Sequence, residues 1–195
     1  MIRVGACGAA MLALTGCMET AAAPPTSGIQ MELPAGYPPK IGAATADLSG
    51  VARAWTLYDY SIGSYDASVQ VLNYNGKVQF RLMGDVVGKP NGDANRLVIG
   101  AEMTRQTQTG ALNNPVIEIV AGKDWTGARL SSAGSAAALV LDSLTPMGPH
   151  SEYGHVTGHF SAVLCAATGY PAQIDRTQCQ PFKGSFASDL QIGGA

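Results

Sequence analysis

The chain has 195 residues, with 12 basic side chains against 14 acidic ones, 46% hydrophobic residues and only 13% charged residues. That length suits one domain of ordinary size with a proper core, and the lack of any basic run argues against nucleic-acid binding or a polybasic grip on anionic lipid. Twenty-four glycines in so weakly charged a chain fit strands and tight turns better than long solvated helices.

Residues 1–16 hold one basic residue, Arg3, and an apolar stretch over 4–14 that ends in Leu14-Thr15-Gly16-Cys17. The stretch is shorter than the roughly 20 residues that cross a bilayer, and no later segment approaches that length. A small residue before a cysteine at the end of an apolar region resembles the lipobox of bacterial lipoprotein signal peptides, over residues 1–17 only. The resemblance implies cleavage before Cys17 and acylation of that cysteine, with palmitate among the chains. The alternative is an ordinary secretory signal that leaves Cys17 unmodified. Met18 stands where aspartate tends to retain enteric lipoproteins in the inner membrane, so the expected location is the bacterial outer membrane, facing the periplasm. The membrane is then a partner through the N-terminal lipid, with envelope proteins as further candidates.

Residues 17–46 contain Pro24-Pro25 and Pro38-Pro39 without a sustained apolar period, and read as a tether. Proline-rich chain is extended and semi-rigid, at about 3.1 Å per residue where polyproline II forms. The other reading docks part of it, over 29–33, as an edge strand.

Period-two alternation takes over in the domain expected at 47–195. Strands are expected over 54–61, 96–104, 116–121 and 128–131, while 137–141 reads as either a strand or a short helix before Pro146. Asn75-Gly76 marks a hairpin, because both central residues of a type I′ turn need positive φ. A two-residue loop there pairs Val71 with Phe80 and Val69 with Leu82, leaving Gln70 and Arg81 together on the opposite side. In 156–164 the residues Val156, Gly158, Phe160, Ala162 and Leu164 share a face, as do Phe182, Gly184, Phe186, Leu190 and Ile192 in 182–192. The shared Gly-x-Phe pattern suggests two neighbouring antiparallel strands with the same packing problem. With no βαβ rhythm, the expected fold is all-β, an antiparallel β-sandwich, with a small closed β-barrel as the alternative.

Once Cys7 is lost and Cys17 acylated, Cys165 and Cys179 remain as a pair. An oxidising compartment permits a disulfide, which closes a loop of about 15 residues and should stabilise the fold by on the order of 3 kcal/mol. It would clamp the segment between the last two strands. Metal-ligand thiolates are disfavoured, since no CxxC spacing and no histidine lie between them.

Signals for chemistry are sparse. No GxSxG, HExxH or SxxK motif occurs. His155 and His159 fall on one side of a strand about 13 Å apart, at roughly 3.3 Å per residue, too far for one zinc. His150, Glu152 and His155 around a turn form the better metal trio. The segment 89–95 carries oxygen ligands without the spacing of an EF-hand loop, and reads as a surface turn. The aromatic run Trp55-Thr56-Leu57-Tyr58-Asp59-Tyr60 puts Tyr58 and Tyr60 on one face as candidate binding residues, opposite Trp55 and Leu57. No cofactor is expected. The sequence therefore points to a lipid-anchored binding or assembly module rather than an enzyme. A carrier of a small apolar ligand, whose interior would need small lining residues as in 128–141, is the alternative. A metal-dependent hydrolase built on the histidines is the third reading.

Overall fold

The computed structural model describes residues 38–60, 67–87, 95–121, 129–148, 151–169 and 172–193. Among them strands are the only repetitive structure: β1 (Lys40–Leu48), β2 (Val51–Tyr58), β3 (Val69–Tyr74), β4 (Lys77–Val86), β5 (Arg96–Met103), β6 (Gly110–Ala111), β7 (Asn113–Val120), β8 (Arg129–Ser131), β9 (Ala137–Pro146), β10 (Tyr153–Thr168) and β11 (Gln173–Ile192). The fold is all-β, as the alternation indicates.

Asn75 and Gly76 both take positive φ, at 51° and 73°, and the register they impose pairs Val71 with Phe80, Val69 with Leu82 and Gln70 with Arg81. A second two-residue turn has the same character. Ser49 and Gly50 have φ of 52° and 86°, with Leu48 opposite Val51 and the Gly50 amide donating to Asp47 Oδ1 at 2.8 Å.

Two expectations need correction and one open alternative is decided. Residues 40–46 belong to the sheet rather than to a tether, because β1 is flanked on both sides, by β2 and by β11. Its buried positions Ala44, Ala46 and Leu48 are mostly small, so the apolar alternation is faint in the sequence. The stretch 137–141 is strand, the start of β9, with Leu139 and Leu141 facing inward. The segment expected as a long loop before Cys179 is largely a hairpin extension in which Ala166, Ala167 and Thr168 pair with Asp175, Ile174 and Gln173.

The eleven strands form one mixed sheet that returns on itself. The circuit β1, β11, β10, β8, β7, β5, β4, β2 and back to β1 is made of antiparallel neighbours. β3 lies between β11 and β4 and pairs with β11 in parallel, a departure from a purely antiparallel sheet. β9 and β6 continue the wall beyond β10. The pairing is ring-like, so features of both a sandwich and a barrel are present. The circuit's weakest closure is β2 against β4, where only Trp55–Val86 and Thr56–Asp85 pair.

The middle of the ring is filled. Trp55, Phe80, Phe160, Phe182 and Phe186 are buried with Leu57, Leu82, Leu139, Leu141, Leu164 and Leu190. The aromatic rings are in contact: Phe160 and Phe182 centroids lie 5.3 Å apart, Phe80 and Phe186 5.7 Å, and Trp55 meets Phe182 edge-on at 6.1 Å, arrangements that add to the burial itself. The repeated Gly-x-Phe motif is explained by register. Gly158 pairs with Phe186 and Phe160 with Gly184, so each strand's glycine leaves room for the other strand's ring. A Cβ on Gly158 would fall 2.6 Å from Phe186 Cζ, and one on Gly184 2.6 Å from Phe160 Cζ.

Candidate functional site

At one end of the ring the interior is not filled. There β1 meets β2 through the Ser49-Gly50 turn, β5 begins, β7 ends, β8 begins, and β10 and β11 pass their disulfide. These strand ends enclose a cavity of about 500 Å³, within the range of small-molecule sites. Its apolar wall comes from Leu48, Val51, Trp55, Ile119, Leu130 and Ala166. The registers Leu48–Val51, Ala44–Trp55 and Ile119–Leu130 put these side chains on the core-facing side. Val51 is nonetheless 51% exposed, so the cavity opens to solvent beside it. The polar contributors are Ser49, Arg53, Asn95, Arg129, Thr168 and Gln180. No carboxylate is among the described lining residues.

The two arginines are in different situations. Arg53 pairs with Ala46 on the core-facing side of β2, yet is exposed. Arg129 is buried, its Nε 3.7 Å from Glu118 Oε1 and its Nη2 donating to Gly169 O at 3.2 Å. On one side the cavity wall is tied by Trp55, whose indole N–H donates to Asn95 O at 2.7 Å. On the other it is tied by the Cys165–Cys179 disulfide. Residues 176–178 are looped out where β11 slips register against β10 beyond that bond. Asp175 holds this excursion, accepting from the Thr177 hydroxyl at 2.6 Å, the Thr177 amide at 2.9 Å and the Gln178 amide group at 2.8 Å. The Thr177 hydroxyl, then its amide and Gln178, hold the Asp175 carboxyl below its ordinary pKa.

Tyr58 and Tyr60 are adjacent, with ring centroids 6.0 Å apart, but they do not form an exposed platform. Tyr58 is 3% exposed, its amide bonded to Ser68 Oγ at 3.0 Å. The half-buried Tyr60 donates its hydroxyl to Asp85 Oδ2. Asp85, 4% exposed, also accepts from Arg96 Nε at 2.9 Å. This cluster sits over the β2–β4 junction, since Asp85 pairs with Thr56 there. Trp55 and Leu57 are core, on the opposite side, as their alternation indicates.

The histidines lie on the outward wall of β10. His155 Nδ1 contacts the Asp189 carboxylate on β11, and His159 Nδ1 lies 2.9 Å from Asp142 Oδ1 on β9. Both imidazoles are well exposed. Glu152 is exposed at the start of β10, while His150 and Cys17 lie outside the described residues, as do 89–94 of the oxygen-rich turn. No group of three His, Cys, Asp or Glu side chains among the described residues is arranged to hold a metal ion.

Sequence reading missed Arg53, Arg129 and the Asp85 cluster. Position 53 falls outside the aromatic run, and its inward direction is set only by the β1–β2 register. Ser49-Gly50, a turn-forming dipeptide between apolar residues, was the signal that would have fixed it. No protein-family model matches the chain, and no curated protein or solved structure does so either.

Proposed function

We propose that this protein is a lipid-anchored binding protein of a bacterial envelope, held by an acylated Cys17 at the periplasmic face of the outer membrane and carrying a small apolar ligand at the open end of its ring. The observation that carries the ligand reading is the cavity of about 500 Å³ walled by Leu48, Trp55, Ile119 and Leu130. It ranks the carrier above the assembly module, but in a form different from an empty interior with small walls: aromatic side chains fill the middle, and this cavity lies among the strand ends. The lipobox at Leu14-Thr15-Gly16-Cys17 supports the anchor, and the Cys165–Cys179 disulfide supports an oxidising compartment.

The test is mass spectrometry of the protein from envelope membranes. The expected result is a mature chain starting at Cys17 with diacylglyceryl mass, and the Cys17→Ser variant missing from the washed membrane fraction. An unmodified amino terminus removes the anchor. Native mass spectrometry after gentle extraction should show a bound small molecule at near one per chain, and a ligand-free spectrum removes the carrier.

An assembly role in the envelope has one supporting observation of its own. Asp47, Lys183, Ser161 and Ala138 are consecutive cross-strand neighbours on the outward wall and line a second concavity of about 590 Å³. Crosslinking in the native envelope separates the readings, since an assembly subunit gives a dominant protein adduct and a carrier gives none.

A further inference from the structure

The cavity is apolar but electrically one-sided. A core-facing position near the mouth of a strand ring is ordinarily occupied by an apolar side chain, as at Val51 and Trp55 on either side of it. At position 53 the chain places a guanidinium there instead. Arg53 is exposed and shares the inward side of β2 with Val51 and Trp55, while no carboxylate is among the described residues that line the cavity. An arginine that merely solubilised the rim would serve equally on the outward side, where Ala52 and Ala54 stand. The charge of Arg129 is engaged by Glu118, so among the described lining residues Arg53, which also borders an outward concavity beside Asp47 and Ala52, is the exposed cation at the mouth. Gln180, Ser49 and Asn95 add neutral polar groups to the same lining.

We infer that the occupant is a single-chain amphiphile with an anionic head: its hydrocarbon chain lies against Leu48, Trp55, Ile119 and Leu130, and its head meets the Arg53 guanidinium at the opening beside Val51. Arginine suits a carboxylate or phosphate because its planar fork donates two parallel hydrogen bonds. The apolar wall supplies affinity through burial, and the cation selects among chains by their head. This assignment rests on the carrier reading above and sharpens it to a ligand class. Free fatty acid and lysophospholipid share the required chemistry.

Photoaffinity labelling of the full-length, membrane-anchored protein tests it. Three diazirine-bearing probes of equal chain length are compared: a fatty carboxylate, a lysophosphatidate and the corresponding neutral alcohol. Adducts are then mapped by peptide mass spectrometry. The carboxylate or the lysophosphatidate should label peptides containing Leu48, Val51 or Leu130, and whichever labels more strongly identifies the source of the head. Arg53→Gln should reduce anionic labelling about fivefold, the scale of a partly exposed ion pair, while leaving the alcohol unchanged, and Arg53→Lys should restore part of it. Equal labelling by alcohol and anions, or an equal loss of both in Arg53→Gln, overturns the anionic head and leaves the carrier standing. If no probe labels these peptides, the carrier reading itself falls. Arg53 is exposed, so its variants keep the fold, and an unchanged thermal midpoint verifies this.

Discussion

A Cβ at position 184 would lie 2.3 Å from Thr45 O, 2.6 Å from Ala46 Cβ and 2.6 Å from Phe160 Cζ. Two of those three neighbours cannot rotate away. Gly184→Ala should therefore destabilise the protein by about 1–3 kcal/mol, the usual cost of overpacking, read as a lower urea midpoint with an unchanged m-value. An unshifted midpoint would mean that β1 slides freely over β11. Asp85 poses the opposite problem, a buried carboxylate kept by its partners. Asp85→Ala removes the acceptor for Tyr60 and Arg96, and because Arg96 is partly exposed the expected loss is about 1–3 kcal/mol rather than the full penalty for a stranded buried charge. Thermal unfolding measures it, and a change under about 0.5 kcal/mol, the scatter of surface substitutions, would show the cluster to be incidental.

At the scale of elements, the long β10–β11 pair carries both the disulfide and the irregular stretch after it. Reducing Cys165–Cys179, or replacing both by alanine, should lower stability by about 3 kcal/mol in the chain-entropy picture for a loop of this length, measured by denaturant unfolding with and without reductant. Two surface carboxylates are held by hydrogen bonds, Asp175 within β11 and Glu102 between neighbouring strands. Besides Asp175, Glu102 on β5 accepts from Lys77 Nζ at 3.2 Å and from Asn114 at 3.1 Å, and Lys77 first, then Asn114, hold its pKa below the ordinary value. A lowered folded-state pKa gives stability that is present above the unfolded-state pKa and lost as pH falls through the folded one. Stability should accordingly decline below about pH 4, and the decline should be shallower in the Glu102→Gln, Asp175→Asn variant. Parallel pH profiles for the two proteins would remove both contacts from the acid response.

Over the whole molecule, the ring is unevenly sealed. β10 and β11 share sixteen paired positions, whereas β2 and β4 share two. Hydrogen exchange should therefore be fastest along the β2–β4 junction and slowest in the central residues of β10, β11, β4 and β5. Slow exchange at Trp55 and Thr56 would contradict this. The sequence revealed the parts with strong local signals: the Asn75-Gly76 register, the inward faces of β10 and β11, and the cysteine pair, all governed by alternation or turn geometry within a few residues. It concealed β1, whose inward positions Ala44 and Ala46 are too small to register as apolar alternation. It also concealed the ring, which depends on partners far apart in the chain. The candidate cavity was illegible for the same reason, since its walls come from six strands and the direction of Arg53 follows from a turn four residues earlier. Tyr58 and Tyr60 lie near each other, but strand periodicity does not say which positions are later covered.

The placement of β11 bears on how such a chain acquires its shape. It is the final strand, yet it adjoins the first, the third and the tenth, so no earlier fragment contains a closed circuit. A chain emerging amino end first stays open until residues 173–192 are out, and contacts this distant in sequence form slowly. Closure of the ring is thereby deferred until β11 pairs with its neighbours.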